Sequence, residues 1–449
     1  MLKAGIARLG ALKTRVNALK AARGMTVIAM AALATPAFAQ AAAQPAKIDG
    51  ADTAWMISAT ALVLMMSLPG LALFYSGMVR KKNVLATMAQ TFAAVALGSI
   101  LWVAIGYSLT FVGDGPVIGT LERFMLNGMG MNTISPQATT IPESVFMLYQ
   151  MTFAVITVAL VAGSVADRMR FSAFLWFGAG WMLLVYVPIA HWVWGGGFLH
   201  TAGVIDFAGG LVVHLNAGIA GLVACMLLGK RRGYGFENLA PFDLSLAVIG
   251  TGLLWVGWFG FNGGSALGAN SRAGFAILAT HLAACSGVLT WMLLEWFDRG
   301  KPSVLGIVSG AVAGLGTITP ASGFVLPWHG IVIGIAAGAI CYWACTRLKM
   351  KLGYDDSLDV FGVHGIGGAT GTILAGVFAT AAVGDSSGLI EGTSKLVLSQ
   401  LYGVGVTLVW SGLATFVLLK VIGFFLPLRV RDEDERMGLD LSLHGEALQ

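Results

Sequence analysis

Residues 207–229 have the sequence FAGGLVVHLNAGIAGLVACMLLG, a run of 23 residues without Asp, Glu, Lys or Arg. As a helix rising about 1.5 Å per residue, the run would be roughly 34 Å long, enough to cross a hydrocarbon core of about 30 Å. It contains one imidazole, His214, far from either end. The run therefore predicts a transmembrane helix that carries an ionisable side chain.

Similar runs fill most of the chain. The run 302–346 is long enough for two spans, with a break at 319–323 and at Pro327. In the run 171–205, three glycines follow Trp194, so the surplus there is expected to be a loop. We therefore expect an all-α polytopic membrane protein with eleven transmembrane helices. The uncharged runs besides 207–229 are 53–79, 84–113, 144–166, 171–205, 244–271, 273–294, 302–346, 360–384 and 396–419.

Composition excludes several other classes of protein. Hydrophobic residues make up 57% of the chain and charged residues 11%, too few charges for a soluble globular exterior. Six of the 27 Lys and Arg lie before residue 24, and the rest of the chain has 21 basic against 22 acidic residues. A nucleic-acid-binding protein is therefore not supported. The four cysteines lie in apolar runs, and no His-Glu-x-x-His motif is present, so we expect no disulfide, no metal, no cofactor and no enzymatic activity.

The first 39 residues have the pattern of a cleavable signal peptide. A basic region is followed by an apolar region at 25–33 and by Ala37-Phe38-Ala39, a small-residue cleavage site. An uncleaved amphipathic helix on the membrane surface is the alternative. The domains are then 1–39 as the signal peptide, 40–428 as the eleven-helix domain and 429–449 as a polar C-terminal tail.

Basic residues predict the orientation of the spans. They cluster in every second connection, at 80–82, 168–170, 230–232, 299–301 and 347–351, and in the tail. The connections that alternate with these contain only three basic residues, Arg123, Arg272 and Lys395. By the positive-inside rule this alternation predicts a protein of the cytoplasmic (inner) membrane, with its N-terminus outside after signal cleavage and its C-terminus in the cytoplasm.

Two spans share a partial internal sequence repeat. Asp206-Phe207-Ala208-Gly209-Gly210 precedes His214, and Asp359-Val360-Phe361-Gly362 precedes His364, five spans later. Because five is odd, the two halves would run in opposite directions, as in an inverted five-plus-five repeat with a site at the interface of the halves.

Three polar or aromatic features allow two interpretations each. A single histidine in a span is commonly a packed, hydrogen-bonded residue, whereas a pair related by a repeat suits a pore. Asp206 is either a ligand for a cation or a cap that orders the start of the span at 207–229. Trp194 is either an interfacial tryptophan or an aromatic face for a cation.

Four motifs in order along the chain resemble the ammonium transporter family (Amt/Mep/Rh), on its bacterial Amt side. They are PGLALFYSG at 69–77, DFAGG at 206–210 continuing to His214, GWFGFNGGS at 257–265 and FGVHG at 361–365, and the resemblance covers about residues 50–445. It implies the ammonium transporter fold of eleven helices, a homotrimer and one narrow conduction path for each protomer.

The resemblance also implies roles for individual residues. His214 and His364 would face each other as twin histidines of the pore. Trp194, Phe153 and Ser265 would recruit external ammonium, and Phe153 and Phe261 would form a gate below that site. The expected function is transport of ammonium by recruitment, deprotonation and passage of ammonia along a hydrophobic pore. Trp258 and Asp206 would line or support the pore.

Partners also follow from the resemblance. Ammonium or ammonia would be the substrate, with methylammonium as an analogue, in a lipid bilayer. A PII-type signal protein would bind the cytoplasmic tail together with the loops 230–243 and 347–359.

An ammonium sensor and an Rh-like neutral gas channel are the alternative functions. A sensor would need a signalling domain, which the 21 residues after Leu428 do not contain. A gas channel should lack tight cation recruitment at Trp194.

Overall fold

The computed structural model describes residues 46–448, and the signal peptide predicted for residues 1–39 lies outside them. The described chain is built almost entirely from apolar helices, as the uncharged runs predict. They are α1 (Gly50–Met78), α2 (Lys81–Phe111), α3 (Glu143–Val165), α4 (Phe171–Thr201), α5 (Gly210–Leu228), α6 (Leu244–Gly264), α7 (Ser271–Arg299), α8 (Val304–Ile318), α9 (His329–Leu352), α10 (Phe361–Phe378) and α11 (Lys395–Phe425).

Among residues 46–448, ten of these helices are long and apolar enough to cross a membrane. The run 302–346 does divide into two helices, and the turn between them contains Pro320. However, α8 has only 15 residues, so the count of eleven spans stays a prediction. In α4 the regular helix ends at Trp194, and the expected loop contains a further short turn, Phe198–Thr201.

Glycine allows α7 and α8 to pack with their backbones in contact. A Cβ atom added to Gly314 would lie 2.3 Å from the carbonyl oxygen of Ala283, and one added to Gly287 would lie 2.5 Å from that of Gly310. Such close approach is how helices associate in membranes, where van der Waals contact replaces the hydrophobic effect. It accounts for part of the high glycine content, 61 residues.

Several helices contain a π-helical turn, which the sequence pattern did not predict. One of them, Met66–Leu71, surrounds Pro69, whose missing N–H disturbs the regular α-helical hydrogen bonds. Two others are Gly210–Leu215 in α5 and Phe361–Gly365 in α10, the turns that hold His214 and His364. The matching positions of these two turns agree with the repeat suggested by the sequence. π-Helical turns are often found at functional sites.

The segment between α2 and α3 contains the sheet of the described chain. Strands β1 (Ile134–Ser135) and β2 (Ala138–Pro142) pair antiparallel. Next to them, Arg123 forms a salt bridge of 3.1 Å with the buried carboxylate of Glu143 at the start of α3. This pairing gives Arg123, a basic residue in a predicted outer connection, a structural role.

The C-terminal tail is folded against the helices. It forms α12 (Asp432–Met437) and α13 (Leu439–His444) and packs on residues 80–83, 166–170 and 229–232, which we call the tail face. The backbone N–H of Val430 donates to the carbonyl of Arg168 (3.0 Å). Glu435 accepts hydrogen bonds from the Arg232 backbone N–H (2.6 Å) and from the Arg429 guanidinium (2.7 Å). Composition alone favours a solvated end, but these contacts order it.

The carboxylate of Asp440 joins the tail to the start of α2. It accepts hydrogen bonds from the backbone N–H groups of Leu85 (3.1 Å) and Ala86 (2.8 Å), so it caps that helix. We expect amide hydrogens throughout 429–448 to exchange faster in the variant Asp440→Ala, because the loss of a helix cap lowers stability by about 1 kcal/mol. Glu446→Ala, at an exposed position of the same tail, is the control. Unchanged exchange in Asp440→Ala would show that the cap does not hold the tail.

Candidate functional site

The two mid-span histidines are brought together by a close approach of α5 and α10. A Cβ atom added to Gly218 would lie 2.3 Å from the backbone of Gly365, so only glycine fits at this crossing. His214 lies one turn before Gly218, and His364 immediately precedes Gly365. The π-helical turns therefore place both imidazoles at the crossing point of the two helices.

The imidazole rings are nearly parallel and share a short contact. Their Nδ1 atoms are 3.2 Å apart, the ring centroids are 5.2 Å apart and the ring planes differ by 12°. Both side chains are buried. A neutral imidazole has one donor and one acceptor nitrogen, so one Nδ1 donates to the other when both rings are uncharged. Among residues 46–448, Nε2 of His214 has no hydrogen-bond partner.

Trp258 extends this stack of rings. Its indole lies parallel to the His214 imidazole, with centroids 5.5 Å apart and an angle of 18°. Its Nε1–H donates to the hydroxyl of Thr319 over 2.9 Å. Thr319 follows α8 and was not singled out from the sequence, since a Thr in a turn before Pro carries no distinctive signal. Its hydroxyl fixes the indole that lies on His214.

An aromatic cluster lies on the side of the histidines away from the tail face. Phe153 and Phe261 pack at 4.2 Å between centroids, and Phe261 lies 6.1 Å from His214. Trp194 meets Phe153 edge to face at 5.7 Å. The predicted gate residues are therefore in contact with each other, and Trp194 lies above them, half-buried.

Ser265 joins the same cluster through Tyr149. The Ser265 hydroxyl donates to the Phe261 carbonyl (2.9 Å) and lies 3.3 Å from the Tyr149 hydroxyl, which donates to the Phe261 carbonyl over 2.7 Å. Sequence reasoning missed Tyr149. The signal was available, because a phenol in an apolar span needs a hydrogen-bond partner and usually marks a polar contact.

Asp206 acts as a cap of α5 in this structure. One carboxylate oxygen accepts hydrogen bonds from the backbone N–H groups of Gly209 (2.8 Å) and Gly210 (2.7 Å), and the other from Leu211 (2.8 Å) and Val212 (3.2 Å). These four donors are the free N–H groups of a helix start. Its backbone carbonyl accepts the Trp194 indole N–H over 2.8 Å. Asp206 thus ties the helix of His214 to Trp194.

The counterpart of Asp206 in the second half is Asp356, which the sequence comparison did not select. An Asp356 carboxylate oxygen accepts the backbone N–H of Phe361 at the start of α10 (2.7 Å). Asp359, the residue matched by sequence, instead lies 2.7 Å from the Lys349 ammonium and has a positive φ of 59°. Asp356 precedes His364 by eight residues, as Asp206 precedes His214, whereas Asp359 precedes it by five, so spacing from the histidine would have selected the capping aspartate.

Two cavities adjoin the histidines. The first has room for about one water-sized molecule, and apart from His214 and His364 its lining consists of apolar side chains together with Trp258. The second is larger and more polar, and it extends from His364 to Arg231 and Asp359 near the tail face. His364, Phe74 and Val312 line both cavities, so they separate one from the other.

The charge of Arg231 in the second cavity is paired. Its guanidinium lies 2.7 Å from a carboxylate oxygen of Asp355 and 3.8 Å from one of Asp167. Burial by itself would raise the pKa of Asp355, but the hydrogen bonds and the charge of Arg231 outweigh burial and hold this pKa below its usual range. The pair therefore stays ionised and reduces the repulsion that Arg231 would exert on a cation.

Four further histidines, in the spans and their connections, lie away from the twin rings. His191 is buried, with its ring nitrogens 2.8 Å and 2.6 Å from the carbonyl oxygens of Thr110 and Gly115. His200 is exposed, His281 is next to Trp255, and His329 packs on Trp328 and Phe378.

Comparison with known proteins gives the family. The model of the Ammonium Transporter Family matches residues 54–448. The ammonium transporter of Bacillus subtilis is 49% identical over 397 residues, 88% of this chain and 97% of the relative. That of Aquifex aeolicus is 48% identical over 405 residues, 90% and 94% of the two chains. The crystal structure of Saccharomyces cerevisiae Mep2 superposes with a TM-score of 0.80 at 39% identity, covering 86% of this chain and 88% of Mep2. The motifs, the helical fold and these matches agree that this chain belongs to the ammonium transporter family, a family of transporters and not of enzymes.

Proposed function

We propose that this protein carries ammonium across the cytoplasmic membrane by binding the cation at Trp194, transferring its proton to the twin histidines and passing ammonia beside them. The observation that carries the proposal is the pair of imidazoles in an apolar cavity, with Nε2 of His214 lacking a partner among residues 46–448. A buried polar atom without a partner is destabilising, so it is suited to a small molecule that donates or accepts a hydrogen bond.

Deprotonation explains how ammonium can be separated from potassium. The two cations have similar size and equal charge, so the diameter of a pore discriminates poorly between them. Removing the proton from ammonium near pH 7 costs about 3 kcal/mol, at ~1.36 kcal/mol for each of roughly two pKa units. Moving an unpaired cation into a low-dielectric cavity costs several kcal/mol, and of order 20 by idealised Born estimates. The neutral route is cheaper, and potassium has no proton to lose.

Recruitment at Trp194 is supported by the hydrogen bonds around it. The indole N–H is engaged by the Asp206 carbonyl, which holds the ring while its face remains able to contact a cation. The Ser265 hydroxyl gives its proton to the Phe261 carbonyl, so its oxygen is able to accept a hydrogen bond from ammonium. Phe153 and Phe261 then separate this site from His214 and would have to move for the substrate to pass.

Topology and assembly complete the proposal. The tail contacts three of the connections that the basic residues assign to the cytoplasm, 80–83, 166–170 and 229–232, which supports a cytoplasmic C-terminus. The homotrimer and the PII-type partner remain inferences from the family resemblance. Phe236 on the 230–243 loop is 98% exposed, which suits a docking surface.

The test uses the full-length protein in proteoliposomes with labelled methylammonium. We expect uptake that saturates with methylammonium, is competed by ammonium and is accompanied by no potassium flux. Repeating the assay with an imposed membrane potential measures whether net charge moves. Uptake that stays proportional to the concentration of uncharged amine would contradict recruitment of the cation and favour a neutral gas channel, and empty liposomes provide the background.

A further inference from the structure

Three separate segments meet at the side chain of Arg272, on the face of the bundle opposite the tail face. Its guanidinium carbon lies 5.1 Å from the ring centroid of Phe207 and 4.8 Å from that of Phe324. Its Nε–H donates to the carbonyl of Gly323 over 2.6 Å. The segments are the start of α7, the loop that precedes α5 and the connection between α8 and α9.

Two of these segments carry hydrogen bonds of the transport site. Phe207 directly follows Asp206, whose carbonyl accepts the indole N–H of Trp194. The backbone N–H of Phe207 donates to the carbonyl of Pro320 (3.1 Å), and the preceding residue, Thr319, accepts the indole N–H of Trp258. A displacement of Phe207 would therefore reach both tryptophans.

The packing around this point leaves little free space. A Cβ atom added to Gly323 would lie 2.1 Å from the Phe207 ring, and one added to Gly384 would lie 2.3 Å from the Phe324 ring and 3.0 Å from the Arg272 guanidinium. The phenyl rings of Phe207 and Phe324 meet edge to face at 5.6 Å. Arg272 thus fills one side of the tight contact between the loop that precedes α5 and the α8–α9 connection.

The charge of Arg272 does not by itself explain its position, although Asp385 is near enough to interact with it electrostatically. It is one of the few basic residues in the connections that the positive-inside rule assigns to the outer side. A positive charge on the side where a cation is recruited is electrostatically unfavourable. A guanidinium, however, is planar, stacks on aromatic rings and donates in fixed directions, none of which an ammonium group reproduces.

We propose that Arg272 is a positioning residue, which holds Phe207 against the α8–α9 connection and thereby fixes the hydrogen-bond acceptors of Trp194 and Trp258. The inference rests on the proposed function, because it assigns those tryptophans to the transport site. It predicts that the shape of the Arg272 side chain matters more than its charge.

The test compares Arg272→Lys, Arg272→Met and Phe207→Leu in full-length protein reconstituted in proteoliposomes, with KM and maximal rate of methylammonium uptake measured per amount of protein. We expect KM to rise by about threefold to tenfold in both Arg272 variants, the scale of one lost cation–π contact or hydrogen bond. The double variant Arg272→Met with Phe207→Leu should be little worse than Phe207→Leu alone, since both changes remove the same contact. Lys395→Met removes an exposed positive charge from a connection of the same predicted side and should leave KM unchanged.

Amide hydrogen exchange provides a second measurement that does not depend on transport. Exchange at 206–212 and 319–324 should be faster in Arg272→Met than in the wild type and similar in Lys395→Met. A wild-type KM in Arg272→Lys, or unchanged exchange in Arg272→Met, would overturn the positioning role. Absence of saturable uptake by the wild type would instead contradict the proposed function, and the exchange result would still decide the role of Arg272.

Discussion

Potassium should pass through the variant His364→Glu, whereas the wild type should exclude it. In the wild type the first, apolar cavity beside the histidines has no acidic residue in its lining, so a potassium ion would bear its full desolvation cost there. A carboxylate at this position offsets several kcal/mol of that cost. Because ~1.4 kcal/mol corresponds to a factor of ten, potassium flux should rise by more than about tenfold.

The measurement is potassium flux from loaded proteoliposomes, recorded together with methylammonium uptake by the same preparation. His200→Glu introduces the same carboxylate at an exposed histidine and should leave potassium flux at the background level. Unchanged exclusion of potassium by folded His364→Glu protein would contradict the neutral-molecule mechanism, because it would show that another part of the path rejects the ion.

Loss of stability and loss of uptake should go together in variants of Asp206. Four backbone N–H groups donate to its two carboxylate oxygens. Asparagine keeps one acceptor oxygen and turns an amide NH₂ towards two of the donors, whereas alanine leaves all four without an acceptor. Each buried donor left without a partner costs about 1–3 kcal/mol. We expect a lower melting temperature for Asp206→Asn and a much lower one for Asp206→Ala, with little uptake by the latter.

The comparison also separates the two roles considered for this carboxylate. If it acts as a cap, the Asp206→Asn protein that remains folded should keep a nearly normal KM for methylammonium. A variant with wild-type thermal stability and a raised KM would instead support direct attraction of the cation. Asp243→Asn, which changes the cap of α6 where a single backbone N–H is bound, is the matched control and should cause only a small loss of stability.

Hydropathy predicted most of the helix bounds because the bilayer places a strong requirement on them. A span needs about 20 apolar residues, so charged residues such as Arg170 and Asp243 lie just outside the helices. The 15-residue helix α8 departs from the expected length, and its burial among other helices removes the need to match the lipid. Burial is a tertiary property that composition does not report.

The residues of the candidate site that were predicted lie in recognisable sequence motifs or follow from the family resemblance. Alignment of two similar loops pointed to His214 and His364, and the family resemblance supplied Trp194, Phe153 and Ser265. Thr319 was missed because it acts through a long-range hydrogen bond to Trp258, which leaves no pattern in the neighbouring sequence. Tyr149 was missed although a phenol in an apolar span signals a hydrogen-bond partner, because the sequence does not say which residues that partner would be. Asp356 was missed because Asp359 lies nearer to the matching Phe361-Gly362 pair, although only Asp356 has the eight-residue spacing to histidine that Asp206 has.

The π-helical turns in α5 and α10 have a consequence for how chain length can vary. Such a turn accommodates one residue more than the regular helix, while the residues on either side keep the angular phase of about 100° per residue. A one-residue deletion confined to 210–213 could be absorbed by the turn, which would leave Gly218 at its crossing with α10 and shift only the imidazole. The position of the His214 imidazole and the close packing of the two helices are therefore separately adjustable, so a homologue could change the first without changing the second.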